Sequence, residues 1–246
     1  MAENPVIQVN QLSSGYENEV ILEDVSLEIY ANEVVAILGT SGCGKTTLLK
    51  NLIGLLPPFE GSVSLFGQNL TQLDEDEYYQ LMRKTGVLFQ HGALLNSISI
   101  YDNVAIPLEQ HTKIPPFLAD QLIYLKLQMV GLQKYANFLP SQISGGMRKR
   151  AALARSIILD PHILFADEPG AGLDPVTANN LDNLLLSLKQ KLSMSMVIVT
   201  HEVASIKRIA DRIVYLDNGN VLFTGSLQQA MQSDIKQIHN FFESAS

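Results

Sequence analysis

A glycine-rich loop between an apolar run and a helix constrains this chain more than any other feature. The loop that matches the pattern G-x-x-x-x-G-K-[ST] in full is Gly39-Thr40-Ser41-Gly42-Cys43-Gly44-Lys45-Thr46. The preceding residues 33–38 predict a strand, and residues 46–53 predict a helix. In this context the loop N–H groups and the helix N-terminus surround phosphate oxygens, with Lys45 at the terminal phosphates and the Thr46 hydroxyl on Mg²⁺. A glycine-rich turn without a ligand is the alternative interpretation.

Composition indicates a globular protein and excludes several classes of function. Of the 246 residues 46% are hydrophobic, enough for a large α/β domain, and the formal net charge of −8 argues against nucleic-acid binding. No apolar run approaches the roughly 18 to 20 residues of a membrane span, and no signal segment opens the sequence. We therefore expect a cytoplasmic protein, in which a single cysteine forms no intramolecular disulfide.

That cysteine, Cys43, lies inside the glycine-rich loop. We expect the neighbouring helix N-terminus and Lys45 to lower the pKa of its thiol. We assign it no redox role, because a residue at this position merely fills a variable place in the loop. We do expect thiol alkylation to block nucleotide binding, and bound nucleotide to protect the thiol.

Two strands are predicted before the loop, at residues 6–12 and 20–29, with residues 14–18 forming the connection. Tyr16 in this connection offers a flat face on which a purine ring can stack, although a loop tyrosine is more often an ordinary surface residue. Gln90 ends a later apolar run and means little by itself. The segments predicted after the glycine-rich loop are a strand, a polar helix and a buried strand, at residues 61–67, 74–84 and 86–90.

The pattern changes to helical at residues 97–160, which predicts an inserted helical subdomain. Pro107, Pro115 and Pro116 are expected to break the chain in loops, and residues 117–130 are spaced as a helix.

A second anion site is predicted where Ser144, Gly145 and Gly146 open a basic helix, residues 148–159. Free N–H groups at a helix N-terminus attract anions. The basic residues of this helix are interpreted as one helix face. One domain rarely needs two such sites for one nucleotide.

Two acidic residues end one later apolar run, and a histidine ends another. Asp167 suits the metal-binding carboxylate that accompanies a phosphate loop, and Glu168 suits a base that polarises water. Asp174 is predicted as a helix N-cap with Pro175 in the first position. His201 ends a buried strand and, taken alone, is more often structural than chemical. The C-terminal segments predict a hairpin and two short helices, at residues 212–217 with 221–224, and at 226–231 and 235–242.

Together these motifs resemble those of the nucleotide-binding subunits of ATP-binding cassette (ABC) transporters over essentially the whole chain. Residues 39–46 resemble that family's Walker A motif and residues 144–147 its LSGGQ signature. Residues 171–174 resemble the D-loop. The single residues that resemble the adenine-stacking aromatic, the Q-loop glutamine, the Walker B aspartate, its catalytic glutamate and the switch histidine are Tyr16, Gln90, Asp167, Glu168 and His201.

The resemblance implies an α/β P-loop NTPase with a RecA-like core, an antiparallel β subdomain and an inserted α-helical subdomain. On this basis residues 1–96 and 161–225 form the core with the β subdomain. Residues 97–160 form the helical subdomain with the signature motif. Residues 226–246 form a short C-terminal helical tail.

The resemblance also implies a head-to-tail dimer with two ATP molecules between the Walker A motif of one subunit and the signature of the other. Catalytic roles then fall to Glu168, His201 and Gln90, and Mg²⁺ is bound by Thr46, Gln90 and Asp167. The residues implied to bind ATP are Tyr16, Gly39, Thr40, Ser41, Gly42, Cys43, Gly44, Lys45, Thr46, Thr47, Ser144, Gly145, Gly146 and Asp174. Met147 departs from the signature glutamine and lacks its amide donor.

A narrower resemblance is to the ATPase of the maintenance-of-lipid-asymmetry transporters, carried by residues 88–95, 102–108 and 144–155. It implies phospholipid transport across the bacterial envelope and a peripheral position on the cytoplasmic face of the inner membrane. The implied partners are an integral membrane permease, an MCE-type lipid-binding protein and a small accessory subunit. Leu94, Leu95 and the segment to Leu108 are expected to receive the permease.

Other functions agree less well with the sequence. A DNA-acting cassette ATPase would need a coiled-coil insertion or a basic surface, and a GTPase would need Asn-Lys-x-Asp; the sequence shows none of these three features. A phosphotransferase leaves residues 144–147 and His201 unexplained, and Glu168 disfavours a pure binding module. The remaining alternative is the ATPase of an importer for a small solute such as an amino acid.

Overall fold

The computed structural model describes residues 4–17 and 19–243. Its strands are β1 (Ile7–Tyr16), β2 (Glu19–Ile29), β3 (Val34–Gly39), β4 (Glu60–Leu65), β5 (Gln68–Asn69), β6 (Thr85–Leu88), β7 (Ile163–Asp167), β8 (Ser195–Val199), β9 (Arg212–Asp217) and β10 (Asn220–Ser226). Its α-helices are α1 (Lys45–Leu52), α2 (Glu75–Met82), α3 (Ile100–His111), α4 (Pro116–Met129), α5 (Gly145–Ser156), α6 (Pro175–Leu192), α7 (Val203–Ile209), α8 (Leu227–Met231) and α9 (Lys236–Glu243).

The chain forms two compact units. The first comprises Met1–Met82 and Ser195–Ser246, and the second comprises Arg83–Met194. Asn18 of the predicted connection and residues 244–246 of the predicted tail lie outside the described residues. Within the described ranges, no helix is both long and apolar enough to cross a membrane.

The first unit contains an antiparallel sheet in the order β2-β1-β4-β5 and a set of parallel strands in which β3 lies between β8 and β9. β3 and β8 are buried along their whole length. Their continuous apolar sequences suit this position, because parallel strands are covered on both faces. Behind β3, the C-terminal residues Ile238 and Phe242 pack on Leu38 and Tyr215 and close the core of this unit.

The connection predicted at residues 14–18 is wrong in extent, because β1 continues through Tyr16. Gly15 pairs with Val20 and Tyr16 with Glu19, so antiparallel pairing extends to the last residue of β1 and the first of β2. Register shifts along β1 interrupt the regular alternation of apolar and polar residues that would have predicted a strand there. Tyr16 is therefore a strand residue.

The hairpin predicted near the C-terminus is confirmed. β9 and β10 pair in antiparallel register, with Asn220 opposite Asp217. Asn218 and Gly219 connect them with φ angles of 46° and 79°. Two consecutive positive φ values define the type I′ turn that Asn-Gly favours.

The second unit pairs β6 and β7 in parallel and contains helices α3 to α6, of which α5 packs on β6. The predicted helix at residues 117–130 is confirmed as α4, but Pro116 is its first residue and not in a loop as expected, because a proline is tolerated in the first turn of a helix. Pro107, however, lies inside α3 and not in a loop. The prediction failed because the ring removes a single hydrogen bond, to the carbonyl of Asn103, while the buried side chains of the helix still hold it against the unit.

Candidate functional site

The glycine-rich loop connects β3 to α1 through backbone conformations that only glycine adopts easily. Gly39 has a φ of 147°, and a Cβ atom there would lie 2.3 Å from the carbonyl oxygen of Leu216. Gly44 is the left-handed N-cap of α1, with a φ of 104°. The loop therefore keeps this course only with glycine at these positions.

The Lys45 side chain folds back over the first residues of the glycine-rich loop. Its Nζ atom donates to the carbonyl oxygens of Gly39, at 3.0 Å, and Thr40, at 2.7 Å. Thr46 is exposed on the first turn of α1, Thr47 is buried, and that turn carries no acidic residue. An ammonium, a free hydroxyl and the positive end of a helix dipole thus meet at one place, as an anion site requires.

The structure contradicts the expected reactivity of Cys43. The side chain is buried, and burial raises the pKa of its thiol above the ordinary value. Lys45, whose Nζ lies 3.8 Å from the sulfur, opposes this effect but does not overcome it. The sequence could not indicate this result, because it depends on how deeply the loop packs.

Tyr16 is fixed by the helix that follows the loop. Lys50 on α1 donates from Nζ to the phenolic oxygen at 2.9 Å, and this hydrogen bond is the main cause of a lowered pKa for Tyr16. The same Nζ atom lies 5.1 Å from the ring centroid, so it contacts the hydroxyl end of the ring. The ring is 40% exposed and can stack with a planar ligand.

His201 belongs to the same unit and the same sheet edge as the loop. Ile37 of β3 pairs in parallel with Val199 of β8. Gly39 and His201 both lie two residues beyond this pair, where the carboxyl ends of parallel strands open to ligands. His201 is exposed at this edge.

An equivalent edge in the second unit carries Gln90 and Glu168. Leu88 of β6 pairs with Ala166 of β7, and each of the two site residues lies two positions beyond this pair. Asp167 is the last residue of β7. Glu168 has a left-handed φ of 45°, and its Oε2 atom is buried. A non-glycine residue in that conformation is held there by its surroundings.

The predicted second anion site opens α5. Ser144 caps the helix by accepting a hydrogen bond from the Met147 amide at 3.3 Å, and Gly145 is exposed. A Cβ atom on Gly146 would lie 2.6 Å from Cγ2 of Thr177, so this glycine packs closely on α6. The N-terminus of α5 is therefore accessible from one side only.

Asp174 is the N-cap of α6, as predicted. Its carboxylate accepts hydrogen bonds from the amides of Val176 and Thr177 at 3.1 and 3.0 Å. Hydrogen bonds from Thr177 are the main cause of the lowered pKa of Asp174. Pro175 occupies the first helical position.

A cleft of about 410 Å³ brings several of these elements of the second unit together. The residues that line it come from the loop after β6, the start of α5 and the segment before α6: Gln90, His91, Gly145, Arg148, Lys149, Ala171, Gly172 and Leu173. The structure thus assembles the predicted residues in two groups, one in each unit.

Sequence reasoning missed Lys149 and Arg155, which it assigned to a basic helix face. Lys149 is buried and donates to the carbonyl oxygens of Gln90 and, at 3.3 Å, Glu168. Arg155 donates to the carbonyl oxygens of Gly92 and Ala93, both at 2.7 Å. The signal that could have found Lys149 is its spacing of three and four residues from the apolar Ala152 and Leu153, which places a charge on the buried face.

Comparison with known proteins identifies the family. The sequence pattern of the ABC transporter family matches residues 22–171. The chain belongs to the ABC transporter family. Its predicted fold class is confirmed by two solved structures. The ABC cassette MJ0796, described as a dimer bound to ADP and Pi, has 31% identity, a TM-score of 0.82 and coverage of 90% of this chain and 98% of the other. CbiO1 of Clostridium perfringens, described as part of the ABC transporter complex CbiONQ, has 26% identity, a TM-score of 0.86 and coverage of 94% and 92%.

Among named relatives of this ABC ATPase, the intermembrane phospholipid transport ATP-binding protein MlaF of Haemophilus influenzae is 37% identical, over 98% of this chain and 91% of its own. MlaF of Escherichia coli K12 is 34% identical, over 97% and 88%. A Mycobacterium leprae protein named as the probable ribonucleotide transport ATP-binding protein mkl is 40% identical, over 96% and 68%. The relatives agree on the ATPase and differ in the named cargo.

Proposed function

We propose that this chain hydrolyses ATP to drive phospholipid transport across the bacterial envelope, from the cytoplasmic face of the inner membrane. The observation that carries the proposal is the similarity to two MlaF proteins, at 37% and 34% identity over nearly the whole chain. Both are named for intermembrane phospholipid transport.

In the first unit, we assign ATP binding to residues 39–47, with the loop amides and Lys45 on the phosphates. The hydrogen bonds of Lys45 to Gly39 and Thr40 support this role, because phosphate oxygens can replace two carbonyl acceptors. Tyr16 stacks on adenine, and His201 at the same sheet edge binds the γ-phosphate.

In the second unit, Glu168 polarises the attacking water. Its partly buried carboxylate and constrained backbone support a fixed base. Gln90 and Asp167 of this unit offer amide and carboxylate oxygens, and Thr46 of the first unit offers a hydroxyl; these are donors that Mg²⁺ prefers, so the donor chemistry fits that ion. When bound, Mg²⁺ supplies charge neutralisation at the β- and γ-phosphates.

We assign Ser144, Gly145 and Gly146 to the nucleotide of a second copy of this chain in a head-to-tail dimer. The accessible N-terminus of α5 supports this assignment, as does the dimeric state described for MJ0796. Asp174 connects the two nucleotide sites of the dimer, and its role as N-cap keeps it at the start of α6.

We propose that an integral permease docks on Leu94, Leu95 and the segment to Leu108. Buried Asn103 supports such a surface, because its side chain binds both the amide and the carbonyl of Leu95, at 2.7 and 3.0 Å. Leu95 remains 52% exposed. The double variant Leu94→Asp with Leu95→Asp is expected to lose permease binding, measured by co-purification. Undiminished co-purification would reject this surface.

We also propose an MCE-type lipid-binding protein and a small accessory subunit as further partners. The subdomain organisation proposed for the chain remains the one expected from the resemblance: core at residues 1–96 and 161–225, helical subdomain at 97–160 and tail at 226–246.

Substitution of Glu168 tests the chemistry. Glu168→Gln keeps the size of the side chain and removes the base, so turnover is expected to fall by about 10²-fold or more while ATP binding and dimerisation persist. ATP turnover and size-exclusion chromatography with ATP measure the two effects. Normal turnover in this variant would overturn the mechanism.

Mass spectrometry of the complex that the chain forms in its native membrane tests the cargo. A permease with an MCE protein and stoichiometric glycerophospholipid supports the proposal. The second candidate, import of a small solute, is favoured by the similarity to the protein named for ribonucleotide transport. A soluble solute-binding protein without lipid would support that candidate and refute the phospholipid.

A further inference from the structure

The buried ammonium of Lys149 joins two loops that the proposed mechanism treats separately. Lys149 projects from α5 and is only 8% exposed. Its Nζ atom donates to the carbonyl oxygen of Gln90 in one loop and to that of Glu168 in the other. A lysine is almost never buried to this extent unless its charge is compensated, and here two loop carbonyls contribute to that compensation.

The carbonyl of Glu168 is a sensitive place for such a contact. Glu168 has a φ of 45°, a conformation that costs a non-glycine residue free energy and is held by neighbouring bonds. The same carbonyl also accepts from the amide of Ala171 at 3.1 Å. Lys149 therefore helps to fix the peptide plane from which the Glu168 side chain is oriented.

The loop that carries Gln90 is fastened to the same helix over a longer stretch. Arg155 holds the carbonyls of Gly92 and Ala93. A Cβ atom on Gly92 would lie only 3.1 Å from that of Ala152, so the turn packs directly on α5. A shift of the turn consequently moves Lys149 or breaks its bond to Gln90.

We propose that Lys149 is a positioning residue for ATP hydrolysis, which ties the backbone of the Gln90 loop to that of Glu168. The proposal rests on the assignment of Glu168 as the base. On this proposal, Lys149 acts through Glu168 and contributes nothing to nucleotide binding in the first unit.

Lys149→Met tests the proposal in the full-length chain within its membrane complex. We expect kcat to fall by about 10²-fold, because a displaced base loses its alignment, while KM for ATP stays within about threefold. Lys149→Arg is expected to restore kcat to within about tenfold, because a guanidinium can donate to both carbonyls. Retention of the original kcat in Lys149→Met, or a larger effect on KM than on kcat, would overturn the proposal.

Lys126→Met is the matched control. Lys126, on α4, is another buried lysine of the second unit, but it pairs with Asp160 in the segment that follows α5. Its replacement is expected to leave kcat unchanged, and an equal loss of kcat in this variant would reduce Lys149 to a general structural role and refute the proposal. Glu168→Gln distinguishes failure of this proposal from failure of the proposed function. Normal turnover in that variant refutes the assignment of Glu168 as the base, and not merely the link that Lys149 makes between the two loops.

Hydrogen exchange gives a readout that activity does not. The amide of Gly92, bonded to Phe89 O at 2.8 Å, and that of Ala171, bonded to Glu168 O, report on the two loops. In Lys149→Met both amides are expected to exchange faster than in Lys126→Met. Acceleration of one amide without the other would contradict a bridge between the loops.

Discussion

The ion pair between Lys126 and Asp160 allows a quantitative test of how this fold tolerates a buried charge. The Lys126 side chain is 2% exposed, whereas that of Asp160 is 59% exposed. Asp160→Asn keeps the shape and the left-handed backbone at φ 50°, which asparagine tolerates, but removes the only charge that this contact supplies to the ammonium. The variant therefore isolates the electrostatic part of the interaction.

Removing one partner of a fully buried pair costs about 3–5 kcal/mol. Solvent reaches the exposed acid here and screens the pair, so we expect about 2–3 kcal/mol for Asp160→Asn. At about 2–4 °C per kcal/mol for a chain of this size, the midpoint of thermal unfolding falls by roughly 4–12 °C. Lys126→Met fills the same space without a charge and leaves an exposed aspartate, so its cost is expected to stay below about 1 kcal/mol.

Thermal and urea unfolding of the two single variants and of the double variant complete the cycle. Once Lys126 is methionine, Asp160→Asn should cost almost nothing, because no buried ammonium remains. If Asp160→Asn costs the same with and without Lys126, or if Lys126→Met is the more damaging change, the reasoning is refuted.

Three further predictions follow from the described contacts. Burial raises the pKa of Cys43, so the thiol stays protonated at neutral pH. Alkylation of this thiol, followed by mass spectrometry, is expected to be at least about tenfold slower than in the denatured chain. The rate is expected to increase as pH rises and to be lowered further by ATP. Equal rates in native and denatured chains would contradict this expectation. Because base–aromatic stacking contributes about 1–3 kcal/mol, Tyr16→Ala should weaken ATP binding roughly tenfold in calorimetry, whereas Tyr16→Phe should not. Lys50→Met should raise the lowered pKa of Tyr16 back toward its ordinary value, and an unchanged phenol titration would refute the contact. The ionised Asp174 carboxylate stabilises the fold above the ordinary aspartate pKa, and this contribution is lost as pH falls through the lowered pKa of Asp174. The destabilisation by Asp174→Ala, measured in unfolding, should therefore be smaller in acid than at neutral pH, and a pH-independent difference would argue against the charged cap.

The parts of the fold that were predicted correctly depend on short-range patterns. The loop at residues 39–46, the cap at Asp174 and the Asn218-Gly219 turn each need particular residues within a few positions, so the sequence alone specifies them. Apolar runs likewise located the buried strands to within a few residues.

The errors depend on tertiary context. Pro107 was expected to lie in a loop, but it lies inside α3, where packing of the helix offsets the one hydrogen bond that the proline removes. The pKa of Cys43 was expected to fall, but burial, which no local pattern encodes, raises it. Lys149 and Arg155 were assigned to an ordinary helix face, because their acceptors lie 59 and about 62 residues away in the chain.

The turn from Gln90 to Ala93 and the face of α5 that holds it form a matched set. Lys149, Ala152 and Arg155 recur every three residues, and each meets the turn at a different point: a carbonyl, a glycine without a Cβ atom, and two further carbonyls. Recombination between related cassettes that exchanged the turn without the helix would combine a turn with a helix face that does not match it. The two segments, although far apart in sequence, are therefore expected to be inherited or transplanted together.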